Sequence, residues 1–243
     1  MSTSGLHYFP LTTPYMLVLA AIIGLWLGLI AARLLQYASV SMGMSETTVL
    51  LILLLSLALS YVNIPVESLP EREVESSAVV SYFGMKYVVP VVRDWPETVL
   101  AVNLGGAVVP VLLSLYLVVK HRIYGLALAG VAVVSLVCHQ LAYPVPRLGI
   151  AIPTFVPPLT TAIVALALSR RHAGPLAYIS GSLGTLIGAD LMNLGEIHGI
   201  GAPVASIGGA GTFDGIFLNG LLALLYASIA TRFESRRSRH HTK

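Results

Sequence analysis

Charge is what this sequence has least of. Of its 243 residues only 10% are Asp, Glu, Lys or Arg, whereas soluble domains carry about 25%. With 56% hydrophobic residues and a mean hydropathy of +0.84, the chain falls in the membrane class. The single cysteine, Cys138, excludes an intrachain disulfide and any cysteine-cluster metal site. No Lys or Arg precedes the first apolar run, and that run exceeds a signal-peptide core, so no cleaved signal is expected. Gly-rich phosphate loops, nucleophile elbows and HExxH are missing. Glu196, His198 and His139 lack metal-ligand spacing. No cofactor, metal or nucleic-acid partner is therefore expected. The expected partners are the lipid bilayer and a small solute or ion.

What the chain has instead is apolar length. Seven runs reach bilayer-spanning size, for which about 20 apolar residues suffice. They are 15–32, 47–66, 98–119, 123–142, 148–169, 175–194 and 203–230. The expected fold is therefore all-α and integral to the membrane, one polytopic domain of about seven transmembrane helices, some broken at Gly or Pro. Tyr143-Pro-Val-Pro-Arg147 makes a corner, because proline stops helices. Pro153, Pro157 and Pro158 predict a kink or break in the fifth run.

The few charges orient these spans. Arg33, Lys120, Arg122, Arg170, Arg171 and five basic residues of the tail 231–243 fall on the C-terminal side. Only Arg72, Lys86, Arg93 and Arg147 fall on the other. The positive-inside rule then predicts a cytoplasmic C-terminus and an outside N-terminus. The loop 67–97 lies outside. Its first part, Glu67 to Glu75, reads as acidic and solvated, and residues 78–92, β-branched and aromatic around Gly84, predict a hairpin.

An internal repeat joins spans 2–3 to spans 6–7. Residues 102–107 (VNLGGA) match 205–210 (ASIGGA), and 60–65 (SYVNIP) match 190–195 (DLMNLG). This predicts parallel repeats about an axis along the membrane normal, with Ser60 corresponding to Asp190.

Asp190 and Asp214 are the sharpest chemical signal. Asp214 lies in a run free of other charge from Gly199 to Thr231, amid Gly208, Gly209, Gly211 and Gly215. A carboxylate at bilayer depth costs about 2.5–3.5 kcal/mol, so it is expected to have a task. If 208–211 is unwound, Thr212 caps a half-helix that carries Asp214 in its first turn. Asp190 should lie about 160° round its helix from Gly188, on a face with Leu183, Ile187 and Asn193. Ser180, Gly184 and Gly188 form a small-residue ridge for close helix packing. Asn103, Asn193, Ser206, Gly208, Gly209, Thr212 and Asn219 are the candidate binding groups around the two catalytic or ion-handling carboxyls. The carboxyls are expected within ~10 Å of each other, because isolated charges in lipid each carry the full insertion cost.

Five stretches carry a resemblance: 60–65; 102–117 (VNLGGAVVPVLLSLYL); 149–159 (GIAIPTFVPPL); 177–194 (AYISGSLGTLIGADLMNL); and 201–220 (GAPVASIGGAGTFDGIFLNG). Over about residues 45–230 the chain resembles an archaeal and bacterial family of multi-pass membrane proteins catalogued as domain of unknown function number 1614. The resemblance implies a fold class and no activity. A fainter likeness is to intramembrane aspartyl proteases of the presenilin and prepilin-peptidase type, which place aspartates on adjacent spans, one in Gly-x-Gly-Asp. Here two residues intervene in Gly209-Ala-Gly-Thr-Phe-Asp214, and Ala189 stands where presenilin-like enzymes have tyrosine. Three functions stay open at this point: small-solute or ion transport, aspartyl proteolysis, and a structural or sensory role in which the aspartates only fix helix register.

Overall fold

A computed structural model describes residues 13–69, 72–82, 85–95, 98–145, 149–199, 203–209, 219–227 and 230. The tail 231–243 and the expectations placed on Thr212 and Asp214 lie outside the described residues.

The chain is helical in the main. Helix α1 (Thr13–Met42) has no interior proline. It ends where Gly43 takes φ +63, with Gly43 N bonded to Val40 O and Met44 N to Ser39 O. That pair of bonds closes the last carbonyls around a left-handed residue. Helix α2 (Glu46–Leu59) starts at Ser45, whose hydroxyl accepts from Thr48 N. Helix α3 (Val109–His121) continues a π turn at Leu104–Val108. It is followed by α4 (Tyr124–Leu141), α5 (Val156–Leu168) and α6 (Ala173–Thr185). Helix α6 runs on through a π turn (Leu186–Asp190) into a 3-10 stretch (Leu191–Gly199), and α7 covers 219–227.

Three of the described helices are long and apolar enough to cross a membrane, at 16–42, 104–121 and 124–141. Helices α2 and α5 are apolar but only 14 and 13 residues long. The sequence assigns helix where the structure spends residues on strands. β1 (Asn63–Leu69) takes the end of the second run, and β4 (Thr98–Asn103) the start of the third. β6 (Gly149–Ala151) opens the fifth run and β7 (Val204–Ile207) the seventh. The all-α expectation is corrected accordingly, and β-branching at Val99, Val102, Val204 and Ile207 suits the extended state. The fifth run is broken, as expected, rather than kinked: a strand precedes Pro153 and the helix starts only at Val156. Pro157 and Pro158 occupy its first turn, where a missing N–H costs nothing.

The hairpin is present and longer than expected. β2 (Arg72–Tyr82) pairs antiparallel with β3 (Met85–Trp95), so most of the acidic part of the loop is strand. β5 (Tyr143–Val145) and β6 form a second small ribbon at the Pro corner. The third sheet has the order β1-β4-β7, antiparallel then parallel.

These strands gather at one end of the bundle, and the basic turns at the other. Lys120 Nζ donates to Gly43 O, and the rings of His121 and His172 lie 6.1 Å apart. The α1–α2, α3–α4 and α5–α6 turns therefore meet. Helix α6 runs through the middle, with 12 of its 13 residues buried. Its ridge packs on α4 as the sequence predicts. A Cβ on Gly184 would lie 2.6 Å from Val134 Cγ1, one on Gly188 would strike Ser135 O, and Ser180 Oγ abuts Gly130.

Candidate functional site

At the strand end the two repeats touch. β4 and β7 run parallel, with Val102 beside Ile207, so the two Gly-Gly segments leave the sheet side by side. A Cβ on Gly208 would lie 2.6 Å from Ala107 N, which leaves room for glycine alone.

In the first repeat the strand turns straight into helix. Asn103 Oδ1 accepts from Gly106 N at 2.7 Å and caps the π turn. Asn103 Nδ2 donates to Ser60 O (2.6 Å) and Asn63 Oδ1 (3.0 Å). Ser56 Oγ donates to Gly105 O at 2.7 Å, and a Cβ on Gly105 would collide with Ser56 O and Ser60 N. The first Gly-Gly thus sits directly on the end of α2.

In the second repeat the matched positions, Gly208 and Gly209, are not helical. Gly208 and Gly209 take φ +92 and +90, which L side chains rarely adopt, and Gly209 N bonds back to Ser206 O. The Gly208 amide donates to Asp190 Oδ2 at 2.8 Å. Gly105 and Gly208 correspond in the repeat, as do Ser60 and Asp190, so matched positions make matched contacts. Ser206 Oγ reaches across to Asn63 Oδ1 at 2.6 Å and ties the halves together.

Asp190 is the last residue of the π turn, and this changes its face. An i→i+5 turn rotates less per residue than the ~100° of an α-helix. The side chain points to Gly208, and its expected face-mate Asn193 folds back, donating to Gly188 O and Ala189 O. Asn193 therefore stabilises a helix end. Asn219 sits deeper, with Nδ2 donating to Gly181 O at 3.3 Å and to Thr185 Oγ1, beside Cys138 Sγ. It joins α7 to α6.

The structure thus brings together Asn103, Ser206, Gly208, Gly209 and Asp190, and sets Asn193 and Asn219 in structural roles. The expected approach of Asp190 to Asp214 lies outside the described residues. Asn63 is the residue that reading the sequence missed, although it stands in the repeat motif 60–65. Its place in that motif, matched to Asn193, is the sequence signal, and in the structure its oxygen takes hydrogen bonds from both halves.

This arrangement falls within residues 57–226, which match the profile of the family described as "Protein of unknown function (DUF1614)". The chain belongs to the DUF1614 family. No curated protein and no solved structure matches it. The repeat motifs 60–65, 102–107, 190–195 and 205–210 all lie inside the DUF1614 match, which begins near the end of α2, so the paired Gly-Gly segments and Asp190 are part of the family's own region.

Proposed function

We propose that this chain is a seven-span membrane protein, N-terminus outside and C-terminus cytoplasmic, that carries protons or a small cation, with Asp190 as the exchanging group. The exterior supports a lipid setting. Leu25 and Trp26 of α1 are each 67% exposed and Leu128 of α4 is 73% exposed. Soluble proteins seldom leave such continuous apolar faces. The meeting of Lys120, Arg122, Arg170 and Arg171 at one bundle end supports the orientation.

Strands at the opposite end bear on mechanism. Non-helical backbone at membrane depth is tolerated where protein buries it or where it lines water. Helices interrupted in matched positions of two repeats are also what transporter binding sites are built from. The observation that carries the reading is the bond from Gly208 N to Asp190 Oδ2. A half-buried carboxyl is held by one amide at a helix break, where the other repeat has the neutral Ser60. Around it, Ser206 and Gly209 flank the break, Asn103 caps the facing helix of the other half, and Asn193 and Asn219 fix the flanking helices. Asp214 and Thr212 follow closely in sequence, since covalent geometry keeps Asp214 within at most about 18 Å of Gly209. We assign Asp214 as the second exchanging group, with Thr212 at its side.

The test is proton flux into proteoliposomes holding a pH-sensitive dye, driven by a potassium diffusion potential. Wild-type protein should pass protons faster than empty liposomes, and Asp190→Asn and Asp214→Asn should each abolish the excess while leaving the melting temperature unchanged. Equal flux in wild type and both variants would reject the assignment. Cleavage of a helical model peptide, run in parallel and lost in the same variants, would replace transport by aspartyl proteolysis.

A further inference from the structure

We infer that the seam between α6 and α7 is a proton path running from Asp190 inward to Tyr178. This rests on the reading of the protein as a carrier of protons or small cations, and it selects the proton. Tyr178, Ser182 and Thr185 stand at i, i+4 and i+7 on α6, so they share one face. The π turn drops Asp190 back on the order of 90° relative to a continuing α-helix, toward that same face. Two contacts agree with this. Thr185 and Asp190 each bond to the segment after Gly199, one through Asn219 and the other through Gly208. From Asp190 to Tyr178 the path covers roughly 18 Å at 1.5 Å per residue, more than half of a ~30 Å hydrocarbon core.

The groups on this face are buried yet poorly partnered. Ser182 is 0% exposed, Tyr178 1% and Asn219 3%. Among the described residues, Tyr178 OH and Ser182 Oγ find no hydrogen-bond partner on any other element, and Asn219 Oδ1 finds no partner. Buried polar atoms are ordinarily satisfied, so a cluster of such atoms calls for a role. Ser182 Oγ abuts Gly220, and a Cβ on Gly181 would lie 3.0 Å from Gly220 Cα. That spacing is too close for a hydrated cation or a solute, whereas hydroxyls with water taken in between them can pass a proton. Each hydroxyl accepts a proton on its oxygen and releases its own to the next group, so one proton advances and every group ends neutral. Asp190 binds the proton at the outer end and gives it up inward. Beyond Tyr178 lies a small pocket lined by Met42, Val49, Leu53, Leu113 and Leu221. This apolar stretch separates the path from the basic end, where Met42 O meets His121 Nε2, and it forms the closed inner gate.

Ser182→Ala and Tyr178→Phe test the path, with Ser180→Ala, which faces α4, as the control. Proton flux should fall on the order of tenfold or more in the first two variants and stay at the wild-type level in the control. The melting temperatures of all three should match wild type. If Asp190→Asn abolishes flux while Ser182→Ala and Tyr178→Phe leave it intact, the seam is wrong and the carrier reading stands. If wild-type liposomes show no flux above empty ones, both fall. Radiolytic hydroxyl labelling of the reconstituted protein adds a readout independent of flux. Labelling of Tyr178 supports a hydrated seam, and complete protection overturns it.

Discussion

Two halves of this chain build the same device from different chemistry. In each, a helix ends beside a strand that leads into Gly-Gly, and the strands β4 and β7 lie parallel. The first half closes with neutral groups. Asn103 caps the outgoing helix, Ser56 holds Gly105 O, and Ser60 offers only backbone. The second half leaves its strand through two left-handed glycines and meets a carboxyl. A closed joint and an open one, set side by side, teach that the repeat supplies architecture and that the departure from it supplies the site.

That contrast can be broken at its tightest point. Gly105→Ala forces a methyl into the backbone of α2, and Gly208→Ala adds a methyl 2.6 Å from Ala107 N in an unsuitable φ. Each should cost ~1–3 kcal/mol or more through overpacking, read as a lower melting temperature in detergent. Wild-type stability for Gly105→Ala would mean that the first Gly-Gly does not sit on α2, and wild-type stability for Gly208→Ala that the two Gly-Gly segments are not in contact.

Next in size is the ridge. Gly184→Leu meets Val134 and should lose ~1–3 kcal/mol by the same mechanism. An unchanged melting temperature would place this face toward lipid.

Asn103→Ala removes a helix cap and two further bonds on the closed joint, at a cost of about 1–2 kcal/mol. Its proton flux per folded molecule should match wild type, because the first half does not handle the proton. The smallest effect belongs to Ser206→Ala, which loses one hydrogen bond to Asn63, worth about 0.5–1.5 kcal/mol. A larger loss than for Asn103→Ala would show that the link between halves outweighs the cap.

How much of this was legible in the sequence depends on the interaction involved. The ridge at Ser180, Gly184 and Gly188 was readable because helical spacing alone sets it, and the repeat because Gly-Gly leaves a visible mark. The strands were not readable. A run such as 98–119 is apolar throughout, and buried strand and buried helix share that pattern. Only pairing with β1 and β7 decides it. The face of Asp190 was missed because a π turn has no sequence mark comparable to proline or glycine at a helix end. Asn63 was missed because its importance comes from Ser206, 143 residues away.

The central claim is that Asp190 takes up and releases a proton where it stands. Infrared difference spectroscopy on the reconstituted protein tests this directly, by following the carboxylic-acid C=O stretch as pH is cycled. The account predicts a band that appears and disappears reversibly in wild type and in Ser206→Ala, and is missing from Asp190→Asn. A wild-type spectrum in which Asp190→Asn removes no pH-dependent carboxyl band would contradict it.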